Sequence, residues 1–501
     1  MNENKKRSIK NLLFSALGQI ITIAIGLILP RLYITNFGSE VNGLLNSASQ
    51  YVIYLGLFEA GVGAVTLQAL YKPVAEKDES SINSILSATH YYYKRTSIYY
   101  FIGLILLSAI YPFIAKSEIE YWIVFGSIFL SGIGSVVVFA LQGKYRFLLE
   151  AEGKNYIIVN LNTIITVLTG IAKVVLIALG FNVIVILLAS FIIHCLQAGY
   201  ILIYIKRHYK WLNLRVEPNK KAIEQKNYML LHQIAGLIFQ NTDILILTIV
   251  CGLKVVSVYA MYKLIITHLE SILNIISSSF NFILGQAFQT DRKIFKNEID
   301  FFESMYSAVA FALFATTLFL FLPFMRLYTK GVEDINYIDY KLAVLFISIA
   351  LLTVARTPML KTINYAGHFK LTTPQTIIET IINLIVSIVG VFLWGIYGVL
   401  LGTVGALVYR TNDIIIYSNV KLLKRSPLKT YLIYVVNIIM FLFLQAFFFV
   451  LFSKWEISSY WDFIGIGGIA VIIALVLSLG AQFIVFSSNR KILKDILRKK
   501  F

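Results

Sequence analysis

The chain has 501 residues, 58% hydrophobic and only 14% charged, with a formal net charge of +18. Soluble globular proteins carry about 25% charged residues, so a large water-soluble enzyme is excluded. Lysine and arginine fall mostly in every second gap between long apolar stretches, the bias of cytoplasmic membrane loops. The basic excess therefore reports orientation and attraction to anionic lipid headgroups, and no nucleic-acid partner is implied.

A hydrocarbon core about 30 Å thick needs about 20 apolar residues per helix. The sequence predicts fourteen such helices, at about 11–36, 42–70, 96–115, 121–142, 156–180, 183–205, 226–250, 255–285, 304–328, 341–363, 374–396, 398–420, 429–452 and 461–486. Lys5-Lys6-Arg7 and the apolar run through Leu29 mimic a secretory signal. No small-residue cleavage site follows, so the first helix is read as uncleaved. Asn83 to Arg95 reads as a cytoplasmic extension of the third helix. An even number of spans puts both basic termini on one side, expected to be cytoplasmic. Cys195 and Cys251 are the only cysteines, too few for a metal site.

The chain resembles itself when displaced so that Gly153, before the fifth helix, aligns with Gly367, before the eleventh. Thr166 then falls on Thr380, Thr169 on Asn383, Lys173 on Ser387 and Gln19 on Gln233. Six spans return the chain to its starting side, so two parallel six-helix lobes are expected, a transporter signature with substrate bound between the halves. The division is residues 1–210, 211–425 and 426–501, the last holding helices 13 and 14 and a basic tail. These two helices are the most uniformly apolar pair; they either pack toward lipid or hold a lipid tail.

No GxxxxGK[ST], HExxH or GxSxG pattern is present, so no nucleotide, metal, cofactor or catalytic nucleophile is implied. Ionisable residues inside spans are more informative, since each costs about 2.5–3.5 kcal/mol at a helix centre. Arg31, beside Pro30, either snorkels to the interface or meets substrate. Glu379 and His232 fall near the cytoplasmic face, and Arg410 and Asp413 are spaced to neutralise each other. Asp243 and Lys263 either form a structural clamp or take part in transport. Lys173 lies deep in the fifth helix, and Arg356 precedes Pro358, which frees a carbonyl and kinks the helix. A set of cations (Lys173, Lys263, Arg356, Arg31) suits an anionic phosphate or diphosphate headgroup. Asp243, Glu270 and Glu59 are the ion-coupling candidates. Tyr51, Tyr54, Tyr259 and Tyr262 are either interfacial aromatics or platforms for sugar rings.

Three segments carry a family resemblance. They are Pro30-Arg31-Leu32-Tyr33-Ile34-Thr35-Asn36-Phe37-Gly38 with Val41-Asn42-Gly43-Leu44, then Gln240-Asn241-Thr242-Asp243-Ile244-Leu245-Ile246-Leu247 leading to Val255-Val256-Ser257-Val258-Tyr259-Ala260-Met261-Tyr262, and the glycine turns before helices 5 and 11. With them the chain resembles the polysaccharide (oligosaccharide) flippases of the multidrug/oligosaccharidyl-lipid/polysaccharide exporter superfamily. The resemblance implies an all-α, V-shaped alternating-access transporter of about 14 transmembrane helices, with two additional C-terminal helices, in a bacterial plasma membrane. Its implied cargo is an undecaprenyl-diphosphate-linked oligosaccharide, with membrane lipids, a polysaccharide polymerase and glycosyltransferases as partners. Of the site residues only Asp243 lies in a matching segment. Two rivals remain, a multidrug exporter of the same superfamily and a peptidoglycan lipid-precursor flippase. A membrane glycosyltransferase is disfavoured, since the DxD pattern is absent and Glu118-Ile119-Glu120 lies in an external loop.

Overall fold

The computed structural model describes residues 3–56, 62–115, 117–219, 241–487 and 490, with the side chains of 3–20, 64, 282, 369 and 370 excepted. The described residues form α1 (Glu3–Leu55), α2 (Val62–Glu76), α3 (Glu79–Ile114), α4 (Tyr121–Ala151), α5 (Asn155–Ala178), α6 (Val183–His208) and α7 (Asn241–Val250). Then follow α8 (Leu253–Ser279), α9 (Asn281–Thr290), α10 (Arg292–Tyr328), α11 (Tyr340–Ala366), α12 (Phe369–Trp394), α13 (Ile396–Tyr417), α14 (Leu428–Leu451) and α15 (Tyr460–Val485). Twelve helices among the described residues are long and apolar enough to cross a membrane. The chain is an all-α multi-pass membrane protein; the predicted spans from 96–115 onward overlap these helices, except 226–250, most of which lies outside the described residues.

The differences from the predicted spans have local causes. The first predicted span and the opening of the second (42–70) run together in α1, broken at Gly38 (φ 83°, ψ 169°), and the close of the second lies in α2. A side chain disfavours that backbone, which glycine adopts freely. Ahead of the break, Thr35 Oγ1 donates to the Arg31 carbonyl and Asn36 Nδ2 to that of Leu32 (2.8 Å each). The predicted helix 8 instead stops at Ser279 and resumes as α9. Ser278 and Ser279 both donate to the Ile275 carbonyl, and such back-bonding by hydroxyls bends helices. α3 and α10 begin well before their apolar stretches because an aspartate caps each. Asp78 accepts from the Ser81 N–H at 3.0 Å, and Asp291 from the Lys293 N–H at 2.7 Å. The cap holds Asp78 below its ordinary carboxylate pKa.

The chain divides into two compact units, Met1–Ala260 and Met261–Phe501. The internal repeat is visible in both. α3 and α10 start at Glu79 and Arg292, and α5 and α12 at Asn155 and Phe369, the same displacement to within a single position. Gly153 (φ +72°) and Gly367 (φ +67°) both take the left-handed conformation just after α4 and α11.

In the first unit, Asn42 Nδ2 donates to Ser257 Oγ (2.7 Å), and the Ser47 and Thr248 hydroxyls share a bond of 2.7 Å, tying α1 to α8 and α7. Residues 209–219 lie along α3, where Asn83 accepts from the Asn213 N–H and Ser87 donates to the carbonyls of Leu214 and Val216.

In the second unit, α12 and α13 approach so closely that a Cβ on Gly398 would lie 1.9 Å from the Gly390 carbonyl oxygen. α14 and α15 pack on α10 through small residues, with Ala312, Ala315, Ala470 and Ala474 fully buried. Lipid removes the hydrophobic drive between helices, so small residues and hydrogen bonds hold such contacts. Here Ser304 donates to Gln482 Oε1 (2.7 Å), Gln482 Nε2 to Asn437 Oδ1 (3.0 Å), and Gln445 Nε2 to the Ala315 carbonyl (2.7 Å).

Candidate functional site

A buried charge cluster of the second unit draws on α8, α11, α12 and α13. Arg356 stands ten residues before the end of α11, and Glu379 ten residues after the start of α12. At 1.5 Å per residue each is about 15 Å from its helix end. Arg356 Nη1 donates to Glu379 Oε1 at 2.7 Å, and Arg410 Nε lies 3.6 Å from Glu379 Oε2. Arg410 also pairs with Asp413 on its own helix and donates to Thr376 Oγ1 at 3.1 Å. The Arg410 and Glu379 side chains are each 5% exposed. Glu379 is therefore a buried bridge between two guanidinium groups, where its place near a helix end led to the expectation of a water-exposed residue.

α8 adds Lys263 and Glu270, seven residues and two turns apart, both half-buried. The charges of Lys263 and Arg356 both act on Glu270. Two cations (Arg356, Arg410) thus form ion pairs with two carboxylates (Glu379, Asp413), and Lys263 and Glu270 of α8 add one charge of each sign. Charges taken out of water are tolerated when paired and hydrogen-bonded. Near the proline of α11, the Tyr434 hydroxyl of α14 donates to the Ala355 carbonyl at 2.5 Å.

The remaining candidates are dispersed. Lys173, half-buried in the second half of α5, makes no ion pair or hydrogen bond among the described residues. Arg31 is half-buried on α1. Asp243, 6% exposed on α7, accepts from the Tyr259 hydroxyl at 2.9 Å. Glu59 and His232 lie outside the described residues. All four tyrosines considered as sugar platforms have partners, Tyr51 packing edge-on against Tyr111 and the Tyr54 hydroxyl lying 3.2 Å from Thr242 Oγ1. Tyr259 holds Asp243, and Tyr262, fully buried, donates to the Tyr337 and Asp339 carbonyls and stacks on Phe321. Sequence reasoning missed the bridging role of Glu379, although its place on the helix next to the Arg410–Asp413 pair was a usable signal.

No family model matches the chain, and no curated protein matches it either. Solved structures do. The lipid II flippase MurJ, in an inward closed conformation, superposes with a TM-score of 0.70 at 14% identity, covering 93% of this chain and 98% of its own. An inward-facing multidrug resistance MATE family transporter gives 0.62 at 15%, covering 82% and 99%. A transporter of the same superfamily from Pyrococcus furiosus, described as having a binding pocket of reversed polarity, gives 0.54 at 14%, covering 83% and 97%. The chain has the fold of the multidrug/oligosaccharidyl-lipid/polysaccharide exporter superfamily.

Proposed function

We propose that the protein is a transporter, not an enzyme, that flips a lipid-linked oligosaccharide from the inner to the outer leaflet of a bacterial plasma membrane by alternating access. The observation that carries this reading is the set of membrane-embedded cations, some paired and one, Lys173, without an anion among the described residues. A diphosphate leaving water needs such donors, whereas a cationic drug is repelled by them. The wider coverage by the lipid II flippase than by the multidrug transporter points the same way. In this reading residues 1–210 and 211–425 are the two lobes, 426–501 adds the two extra helices, and both termini are cytoplasmic. Lys173, Lys263, Arg356 and Arg31 meet the headgroup, and Asp243 or Glu270 couples an ion. Surface-polymer synthesis then involves a polymerase and glycosyltransferases.

The test is a strain lacking the protein, with its undecaprenyl-diphosphate-linked glycans extracted and its surface polysaccharide assayed. Loss of polymer with accumulation of a complete lipid-linked unit is expected. Unchanged glycans with new sensitivity to cationic dyes move the function to drug export. On complementation, Lys173→Ala and Arg356→Ala should abolish export while the protein remains in the membrane. Normal export by both sinks their role at the headgroup.

A further inference from the structure

A second polar feature lies wholly within the first unit. α4, α5 and α6 enclose a cleft of about 370 Å³, within the range of small-molecule sites. Asn162 stands seven residues into α5, and His194 stands fourteen residues before the end of α6. The cleft therefore runs from about 10 to about 20 Å in from the helix ends on the side of the Gly153 turn. Asn162 and Thr166 are exposed and line the cleft, the Thr166 hydroxyl donating to the Asn162 carbonyl at 2.9 Å and keeping its acceptor capacity.

Its hydrogen-bonding groups are incompletely used. Gln142, 4% exposed, has a side-chain oxygen with no hydrogen-bond partner among the described residues. A buried orphan acceptor costs about 1–3 kcal/mol. His194 Nδ1 is 2.7 Å from the Ser190 carbonyl. A carbonyl only accepts, so Nδ1 carries a proton and donates to it. Arg146, at the exposed mouth, makes no ion pair or hydrogen bond among the described residues and supplies donors. Gln197 Nε2 donates to Asn162 Oδ1 at 2.8 Å, which fixes one wall.

This pattern selects a ligand. A lipid-linked diphosphate, fully ionised at neutral pH, only accepts, so it cannot satisfy the orphan acceptor of Gln142. A cationic drug can donate but meets Arg146 and no carboxylate among the described lining residues. An acyl chain satisfies none of the polar groups. A neutral compound whose groups both donate and accept fits all of them, and the hydroxyls of a sugar do both. We propose that the cleft between α4, α5 and α6, lined by Gln142, Arg146, Asn162, Thr166, His194 and Gln197, is a saccharide-binding site. It rests on the glycan-transport reading, to which it adds a place where sugar is recognised apart from the charged network that would hold a diphosphate.

The test uses the full chain in lipid nanodiscs and saturation-transfer NMR with glucose, galactose, N-acetylglucosamine and maltose as probes. At least one saccharide should bind, and binding should weaken about tenfold in Gln142→Leu and in Thr166→Val, the loss of one hydrogen bond each. Excess inorganic diphosphate should leave the signal unchanged. Thermal melting of the two variants verifies folding, and Gln142→Leu should melt no lower because it removes an orphan acceptor. Absence of any saccharide signal, or equal binding by both folded variants, overturns the site and leaves the cleft to solvent. Displacement of the sugar by diphosphate also overturns it. Saccharide binding without lipid-linked glycan accumulation in the deletion strain would reject the flippase reading and keep the site. Accumulation without saccharide binding would do the reverse.

Discussion

The cleft of the first unit and the ion network of the second occupy repeat-related positions. The displacement that carries Gly153 to Gly367 also carries Gln142 to Arg356, Asn162 to Thr376 and Ile165 to Glu379. Aligning the starts of α6 and α13, Val183 with Ile396, carries Gln197 to Arg410. Even a hydrogen bond is repeated. Gln197 donates to Asn162 in one unit, and Arg410 donates to Thr376 in the other. Neutral amides leave room for a cleft in the first unit. In the second, longer guanidinium side chains and a carboxylate supplied by α12 close on one another. The difference follows from the cost of burial. A neutral polar group in the bilayer can wait for water or a ligand, but a charge must bring its own counter-ion.

Arg410→Ala should break this comparison hardest. It leaves Glu379 with Arg356 alone and Asp413 with no cation on its helix face, and removing one partner from a buried ion network costs about 3–5 kcal/mol. Its counterpart Gln197→Ala loses one neutral hydrogen bond and should cost about 1 kcal/mol. Unfolding of the purified variants measures both. Equal losses would mean that the two positions are held by packing and that charge plays no distinct part.

A transplant sharpens the comparison. Ile165→Glu places a carboxylate where the second unit has Glu379 and should destabilise by about 2.5–3.5 kcal/mol. Adding Gln142→Arg supplies the repeat-related partner and should recover most of that loss, with the cleft closed and saccharide binding gone. A double-mutant cycle reads the coupling directly. Additive effects would show that the first unit cannot form the pair and that the correspondence is one of sequence only.

Much of this architecture was legible before the structure. Apolar length located the helices of the described residues, and Gly153 with Gly367 gave the repeat because one backbone conformation recurs at both. The site was harder to read. Arg356 was singled out from burial and charge, but its partner Glu379 lies on the next helix, and no periodicity within one helix reveals a contact between two. Arg410 and Asp413 share a helix face, so their pairing was readable from spacing. The cleft was invisible for a different reason. Gln142, Asn162 and Gln197 carry no charge, and neutral amides in apolar helices stand out only when three helices bring them together.

The smallest expected effect tests whether the same rule relaxes at the surface. Lys154, between α4 and α5, lies 2.7 Å from Glu152 Oε2 with its side chain 43% exposed. Glu152 pushes the lysine pKa above its ordinary 10.5, opposed by partial burial and aided by the Tyr209 hydroxyl, which stands 3.1 Å from Lys154 Nζ. A group whose pKa rises on folding contributes stability that is complete below its unfolded value and is lost as pH climbs through the folded one. Water screens an exposed pair, so its contribution is under about 1 kcal/mol. Glu152→Gln should therefore lower the melting temperature slightly at pH 8, and the gap from the parent should narrow as pH rises above 10.5. A gap that persists unchanged in alkali would assign the effect to the hydrogen bond that the Tyr209 hydroxyl makes with Glu152. It would then owe nothing to charge, and the contrast between buried and exposed pairs would have to rest on the membrane network alone.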